Sequence, residues 1–196
     1  MTWTARAERA RLLAARYPAS HDVLAFYAGL AEWLATEPED LRAGLVELVE
    51  RTGPKELRAA DRSLEWGPWN FFGRVCRMAV AVRNPGCEGT PQVGCLVPQA
   101  EGERLELVCS LCLGRRPHPR GRCPGCGEER LAYYSAPEFA YLLLQACEAC
   151  RGYLVVVDLG KEPEAIPEVD ELAALPLDLW AQEQGYRKLF PNLAGV

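Results

Sequence analysis

The stretch Cys123-Pro124-Gly125-Cys126, followed after 20 residues by Cys147-Glu148-Ala149-Cys150, decides the fold of this 196-residue chain. A Cys-x-x-Cys turn aims two thiolates at one point, and a second such turn completes a tetrahedral cage of four sulfurs that accepts Zn²⁺ or iron. Pro124 presets the first turn, and Gly125 and Gly127 let backbone N–H groups point at sulfur. The pattern therefore predicts a metal site whose ligands are Cys123, Cys126, Cys147 and Cys150.

The composition narrows the class of protein. The N-terminal residues lead into a charged helix without the apolar core of a signal peptide, and the longest apolar runs are too short to cross a membrane. We therefore expect a cytoplasmic protein without a membrane span, in which nine cysteines indicate metal ligands before disulfides; a disulfide framework is the alternative. The net charge of −5 argues against a broad nucleic-acid surface.

Residues 1 to about 82 have the periodicity of helices. The clearest apolar stripe recurs at a spacing of three to four residues and consists of Val23, Phe26, Tyr27, Leu30, Trp33 and Leu34. Ser20 is the expected N-cap of this helix, Pro38 suits the first turn of the next one, and Gly53 ends it. Cys76 belongs to the apolar stripe of a later helix, so we interpret it as a small buried hydrophobe rather than a ligand.

From Asn84 onward the helical periodicity stops and Gly, Pro and Cys become dense. Strand-like runs flank the cysteine pairs at Pro91–Val97, Arg104–Val108, Leu131–Tyr134 and Tyr153–Asp158. Hairpins pinned by metal are typical of zinc ribbons. Residues 136–146 are predicted to be a short helix or an irregular arm, and a last helix is predicted over about 169–184 with a kink at Pro176.

These patterns together predict an α+β protein. A helical N-terminal domain, residues 1–82, is followed by a metal-ribbon domain, residues 83–196. The second domain holds two tandem ribbon modules, about 84–112 and 123–160, and the C-terminal helix.

From Asn84 to its end the chain resembles the FdhE family of formate dehydrogenase accessory proteins. The residues that carry the likeness are Leu107-Val108-Cys109-Ser110-Leu111-Cys112, Arg122-Cys123-Pro124-Gly125-Cys126, Cys147-Glu148-Ala149-Cys150-Arg151-Gly152-Tyr153-Leu154, the run Val169 to Asp178, and Gly185-Tyr186. The resemblance implies rubredoxin-like or zinc-ribbon modules that bind zinc or iron. It also implies a protein that is not itself an enzyme, but assists maturation of formate dehydrogenase through contacts with the catalytic subunit of that enzyme.

The resemblance also implies a second, upstream metal site that is incomplete in this chain. Asn84 stands where the family has the first cysteine of a pair, which leaves the thiolates of Cys87, Cys109 and Cys112. Cys95 or His118 could supply a fourth ligand. Without one, we expect the upstream site to hold metal more weakly than the downstream site.

Charged residues suggest where partners bind. Arg115, Arg116 and Arg120 lie in a loop, predicted over 114–121, that could contact an acidic protein surface. The same arginines support the alternative of a nucleic-acid-binding or regulatory zinc ribbon, although the loop lacks an aromatic residue for base stacking. The acidic residues Asp158, Asp170, Glu171 and Asp178 are interpreted as a solvated face, with Asp170 and Asp178 as candidate partner contacts.

A redox or hydrolytic enzyme has little support in the sequence. Cysteines that share a metal are not free low-pKa nucleophiles. His21 and His118 are the only histidines, and neither a phosphate-binding loop nor a dinucleotide fingerprint is present.

Overall fold

The N-terminal part of the chain is helical. The computed structural model describes residues 1–59, 71–82 and 89–192. The helices before the sheet are α1 (Trp3–Arg16), α2 (His21–Ala35), α3 (Leu41–Thr52), α4 (Lys55–Ala59) and α5 (Phe71–Ala81), with a 3-10 turn at Pro18–Ser20.

The starts of these helices follow local capping chemistry. Asp40 accepts hydrogen bonds from the backbone N–H groups of Arg42 and Ala43, both at 3.0 Å, and so caps α3, which begins at Leu41. Pro38 therefore precedes this helix by three residues and does not lie in its first turn. Ser20 precedes α2 as predicted, but its hydroxyl does not cap that helix. It donates instead to the carbonyl of Ala173 at 3.1 Å, a contact across 153 residues that a local motif cannot predict.

The second part of the chain forms one twisted sheet. Its strands are β1 (Pro91–Pro98), β2 (Glu103–Cys109), β3 (Arg115–His118), β4 (Leu131–Tyr134), β5 (Leu142–Cys147), β6 (Gly152–Asp158) and β7 (Arg187–Lys188). The order is β3-β2-β1-β6-β5-β4, and β7 pairs with β6.

The strand order contains the same unit twice. Strands β1 to β3 form one antiparallel meander and β4 to β6 another, and in each unit a Cys-x-x-Cys turn separates the second strand from the third. The two units join where β1 runs parallel to β6, with Gly94, Cys95 and Leu96 opposite Val156, Val157 and Asp158. The predicted α+β class with tandem ribbon modules is therefore confirmed, but the modules share one sheet.

Two strands lie where the sequence pattern indicated something else. Residues 136–146 form a short 3-10 turn at Pro137–Phe139 and then β5, rather than a helix. The predicted loop over 114–121 contains β3, which pairs with β2. Strand β5 lies between β4 and β6, and all its side chains except Gln145 are apolar, so it lacks the alternation of polar and apolar residues that identifies a strand.

The predicted C-terminal helix is divided into three pieces. They are α6 (Pro167–Asp170), a 3-10 turn (Glu171–Ala174) and α7 (Leu175–Glu183). Pro176 lies in the first turn of α7, where backbone N–H groups have no acceptor within the helix and the missing N–H of proline costs nothing. It therefore starts a helix instead of kinking one.

The largest apolar core lies between helices and sheet. Side chains from α1 and α2 pack with one face of β1, β5 and β6 and with the C-terminal helices. The helices and the sheet share this core. The predicted domain boundary near residue 82 stays a prediction. Among the described residues, no helix has both the length and the apolar character needed to cross a bilayer.

Candidate metal centre

Four cysteine sulfurs converge at one end of the second meander. The turn at 123–126 precedes β4, and the turn at 147–150 connects β5 to β6. Because Leu131 pairs with Cys147 in the β4–β5 ladder, the two turns meet at the same end of the hairpin. The ligand atoms of Cys123, Cys126, Cys147 and Cys150 all lie within 4.8 Å of one another.

The spacing of these sulfurs matches a tetrahedral metal site. The Sγ atoms of Cys123 and Cys150 are 3.7 Å apart, and those of Cys126 and Cys147 are 3.6 Å apart. A tetrahedron with metal–sulfur bonds of about 2.3 Å has edges of about 3.8 Å. The four thiols thus fit Zn²⁺ or iron with little rearrangement, and they fill every position of a four-coordinate ion.

The backbone of each turn supports its sulfurs. The N–H of Gly125 donates to Cys123 Sγ, and the N–H of Gly152 donates to Cys150 Sγ, both at 3.3 Å. The residue after each second cysteine is in the left-handed region, Gly127 at φ 80° and Arg151 at φ 58°. Such N–H donors favour thiolate over thiol, which is the form that binds metal.

The thiols affect one another's ionisation. Burial raises the pKa of Cys150 to about 12, and the neighbouring thiols add to the increase. Burial acts in the same direction on Cys147, but the N–H groups of Cys150 and Ala149 outweigh it and lower the pKa of Cys147 to about 7. A bound dication would lower the pKa of all four thiols, because its charge stabilises the four thiolates together.

The comparisons with known proteins agree with this centre. The family model described as "FdhE, C-terminal domain" matches residues 122–194, which include all four cage cysteines. A "Protein FdhE homolog" of Aquifex aeolicus is 34% identical over 115 residues, 57% of this chain and 41% of that protein. The homolog of Pseudomonas aeruginosa is 34% identical over 145 residues, 68% of this chain and 47% of that protein. The C-terminal part of the chain thus matches the C-terminal domain of the FdhE family.

A solved structure extends the likeness to the fold. The crystal structure of the FdhE protein from Pseudomonas aeruginosa has a TM-score of 0.73 with this chain, at 23% sequence identity, and the match covers 97% of this chain and 94% of that one. The sequence matches are shorter, since they span less than half the length of the two FdhE homologs named above.

The upstream turn at 109–112 has the same backbone geometry as the two turns of the downstream cage. The N–H of Leu111 lies 3.4 Å from Cys109 Sγ, and Leu113, after the second cysteine, has φ 56°. Asn84 and Cys87 lie outside the described residues. The incomplete upstream site therefore stays a prediction.

The structure does not bring the suggested fourth ligands to Cys109 and Cys112. Within residues 1–59, 71–82 and 89–192, the downstream cage is the only group of three or more metal-ligating side chains. Cys95 pairs with Glu106 whereas Cys109 pairs with Pro91, a separation of about 13 Å along the strand. Cys95 is fully buried in the main core, where burial raises its pKa to about 11.

His118 is equally distant from the upstream turn. It pairs with Leu105, four residues before Cys109 on β2, and its Nε2 lies 3.0 Å from the carbonyl of Arg122. The proposal that Cys95 or His118 completes a cage with Cys109 and Cys112 is therefore wrong for this structure, because strand pairing holds both side chains away from it.

The acidic residues near the C-terminus are not a solvated face. Asp170 is fully buried and accepts hydrogen bonds from Arg9 Nη2 at 2.5 Å, from the hydroxyl of Tyr141 at 2.7 Å and from the N–H of Ile166 at 2.8 Å. It therefore joins α1 to α6, and it cannot contact a partner directly. The prediction of a partner contact at Asp170 is wrong because a distant arginine neutralises its buried charge.

Asp178 and Glu171 share a second buried cluster. Lys188 Nζ lies 2.9 Å from Asp178 and 2.7 Å from Glu171, and both carboxylates are fully buried. Gln92 donates to Glu171 at 2.7 Å. The prediction of a partner contact at Asp178 is therefore wrong as well. Asp158 is also buried, and it accepts from the N–H of Gly160 at 2.9 Å within a turn.

The arginines of the predicted loop lie at the edge of the sheet. Arg115 and Arg116 are exposed on β3, and Arg120 follows that strand and pairs with Glu103 at 3.1 Å. Their role as partner contacts stays a prediction.

Sequence reasoning missed the segment that runs past the cage after α7. Tyr186 donates to Glu148 at 2.7 Å, and the guanidinium of Arg151 lies 3.7 Å from the centre of its ring. Leu189 contacts both cysteine turns, since a methyl group on Gly125 or Gly152 would lie 2.6 or 2.5 Å from its Cδ2. Gly185-Tyr186, which matches the FdhE pattern, was the only sequence signal for this segment.

Proposed function

We propose that the chain is a metal-binding accessory protein that assists maturation of formate dehydrogenase through contacts with the catalytic subunit of that enzyme. The observation that carries the proposal is the four-sulfur cage within the part of the chain that matches the FdhE family. A closed cage has no open position for substrate, so the metal stabilises a platform and performs no reaction. A cytoplasmic location fits, because a reducing compartment keeps the thiols available as ligands.

Metal analysis tests the first half of the proposal. Protein purified without air should contain about one equivalent of Zn²⁺ or iron in the downstream cage, and a ferric four-sulfur site should be red whereas a zinc site is colourless. Cys126→Ser should remove that equivalent and destabilise the β4–β6 meander. Cys76→Ser is the matched control, because Cys76 packs in the helical core. Metal content that is unchanged by Cys126→Ser would reject the cage as the site.

A binding assay tests the second half. Immobilised protein should retain the catalytic subunit of a formate dehydrogenase, and the charge reversal Arg115→Glu with Arg116→Glu should weaken retention if the β3 edge is the contact. The reversal Arg51→Glu with Arg58→Glu changes two exposed arginines on other elements and serves as the control. Salt-sensitive binding of DNA or RNA by the unmodified protein, without retention of the subunit, would favour the nucleic-acid-binding alternative.

A further inference from the structure

The segment of residues 186–192, named here the C-terminal latch, lies directly on the metal centre. Leu189 contacts Gly125 inside the first cysteine turn and Gly152 immediately after the second. A methyl group on Gly125 would lie 2.6 Å from Leu189 Cδ2 but 3.7 Å from Cys123 Sγ, so only the leucine limits the space there. One apolar side chain therefore touches both halves of the cage.

The backbone of the latch extends the sheet at the cage. Strand β7 runs parallel to β6, with Arg187 opposite Gly152 and Lys188 opposite Tyr153. The N–H of Arg187 donates to the carbonyl of Arg151 at 2.8 Å, and the N–H of Leu189 donates to that of Tyr153 at 2.9 Å. These hydrogen bonds begin at the residue after Cys150, so any movement of that turn also displaces the latch.

Polar contacts fix both ends of the latch. At its start, the hydroxyl of Tyr186 donates to Glu148, which lies between two cage cysteines. At its other end, the carbonyl of Asn192 accepts from Arg74 Nη1 of α5 at 2.8 Å. Lys188, between them, is held by the buried carboxylates. The latch thus joins the cage to the helical part of the chain.

We propose that the C-terminal latch is part of the metal centre: Leu189 holds the two cysteine turns together, so metal retention and latch docking depend on each other. The proposal rests on the metal binding proposed above. Without metal, the turns lose the bond that fixes their spacing, and Leu189 loses the surface on which it packs. Without Leu189, the turns separate more easily and the metal leaves faster.

Metal release tests the first direction of this coupling. Protein loaded with Zn²⁺ is mixed with a chromogenic chelator, and the rate of zinc transfer is measured. Leu189→Ala should release zinc about tenfold faster or more, as is typical when a residue that supports metal ligands is lost. Leu179→Ala is the matched control, because Leu179 is half exposed on α7, and it should release zinc at the unmodified rate. Equal rates for Leu189→Ala and the unmodified protein would overturn the proposal.

A double variant separates the latch contact from general instability. Gly125→Ala should speed zinc release because the new methyl group collides with Leu189. In the Leu189→Ala background the same change should add little, since the colliding side chain is gone. Additive effects of the two changes would overturn the proposal, because they would mean that Gly125 and Leu189 act independently.

Hydrogen exchange tests the reverse direction. In Cys126→Ser, which removes a ligand, the amides of Arg187 and Leu189 should exchange at least tenfold faster than in Cys76→Ser, while amides of the β1–β2 ladder keep their protection. If the amide of Leu189 stays protected after the metal is lost, the latch proposal is rejected but the metal site is not. A protein that takes up no Zn²⁺ or iron at all would reject both the metal site and the latch.

Discussion

Replacing Lys188 with methionine should be among the most damaging single changes outside the cysteine cage. The ammonium of Lys188 lies 2.7 Å from Glu171 and 2.9 Å from Asp178, and its side chain is only 4% exposed. Methionine fills a similar volume but leaves two carboxylates buried without their cation. Removing one partner of a buried ion pair costs about 3–5 kcal/mol, a large part of the roughly 5–15 kcal/mol that stabilises a typical domain.

The pH dependence of this loss has a definite sign. Burial raises the pKa of both Glu171 and Asp178 in the folded protein, although Lys188 opposes the increase. Their folded forms therefore hold protons more readily than the unfolded chain, and their contribution to stability is lost as pH rises through the folded pKa. Without the ammonium the two pKa values rise further, so lowering the pH from 8 to 5 should recover part of the loss in Lys188→Met.

Lys188 itself does not titrate in this range. Burial disfavours the ammonium, but Glu171 and Asp178 outweigh burial and raise its pKa, so its contribution is fully present below about 10.5 and lost only above it. The other polar groups at the cluster are Gln92, Asn192, Arg74 and the hydroxyl of Tyr153, which stays neutral because burial and Asp178 raise its pKa. Gln92 and Asn192 are neutral, and Arg74 keeps its charge at pH 5 to 8 even though burial lowers its pKa to about 10. The change between pH 8 and 5 therefore reports the carboxylates.

Urea unfolding followed by tryptophan fluorescence at pH 8 and pH 5 measures these effects. Lys161→Met is the control, since Lys161 is 55% exposed and the buried Asp158 that it pairs with keeps its backbone N–H donors from Gly160 and Lys161. Loss of a pair with one partner in solvent should cost at most about 1 kcal/mol. If Lys188→Met does not fold, adding Asp178→Asn should restore folding by removing one buried charge. A loss below about 1 kcal/mol at pH 8, or a larger loss at pH 5, would contradict the reasoning from buried charge.

Three further changes test the rest of the fold. Asp170→Asn should lower the free energy of unfolding by about 1.5–3 kcal/mol, because Arg9 loses a charged acceptor, and urea unfolding measures the loss. Leu144→Ala, in the centre of the main core, should cost about 2–5 kcal/mol in the same assay, with the exposed change Leu12→Ala as control. Gly127→Ala places a side chain at φ 80° and should cost about 1–2 kcal/mol, seen as a lower Tm; an unchanged Tm would mean that the turn relaxes.

The parts of the fold that follow local rules could be predicted from the sequence. Strand β4 has the bounds predicted for it, and α2 begins directly after Ser20, because turn residues and side-chain periodicity define both elements. The cysteine turns were predictable for the same reason, since each is a four-residue unit whose spacing alone points to a metal site. None of these predictions required knowledge of a distant part of the chain.

The features that were missed depend on distant partners. The burial of Asp170 needs Arg9, 161 residues earlier, and the parallel pairing of β1 with β6 joins residues about 60 positions apart. A run of acidic residues near a helix normally indicates solvent exposure, and nothing in the run itself shows that arginine or lysine will neutralise it. A short helix or an irregular arm was predicted at 136–146, where β5 has too few polar side chains to show the alternation of a strand.

The burial of these carboxylates changes where a partner is expected to bind. With Asp170 and Asp178 removed as contacts, the proposed contacts that remain are the arginines of β3 and the residue that follows them. Strands β3 and β4 are at opposite ends of the strand order, but the chain between them returns to β4. The hydroxyl of Tyr133 on β4 donates to the carbonyl of Arg120 at 3.1 Å, and Arg120 stands three residues before Cys123. A partner bound at Arg120 would therefore lie beside the first cysteine turn. Losing zinc should weaken the binding of such a partner, because the metal fixes the turn that follows this arginine.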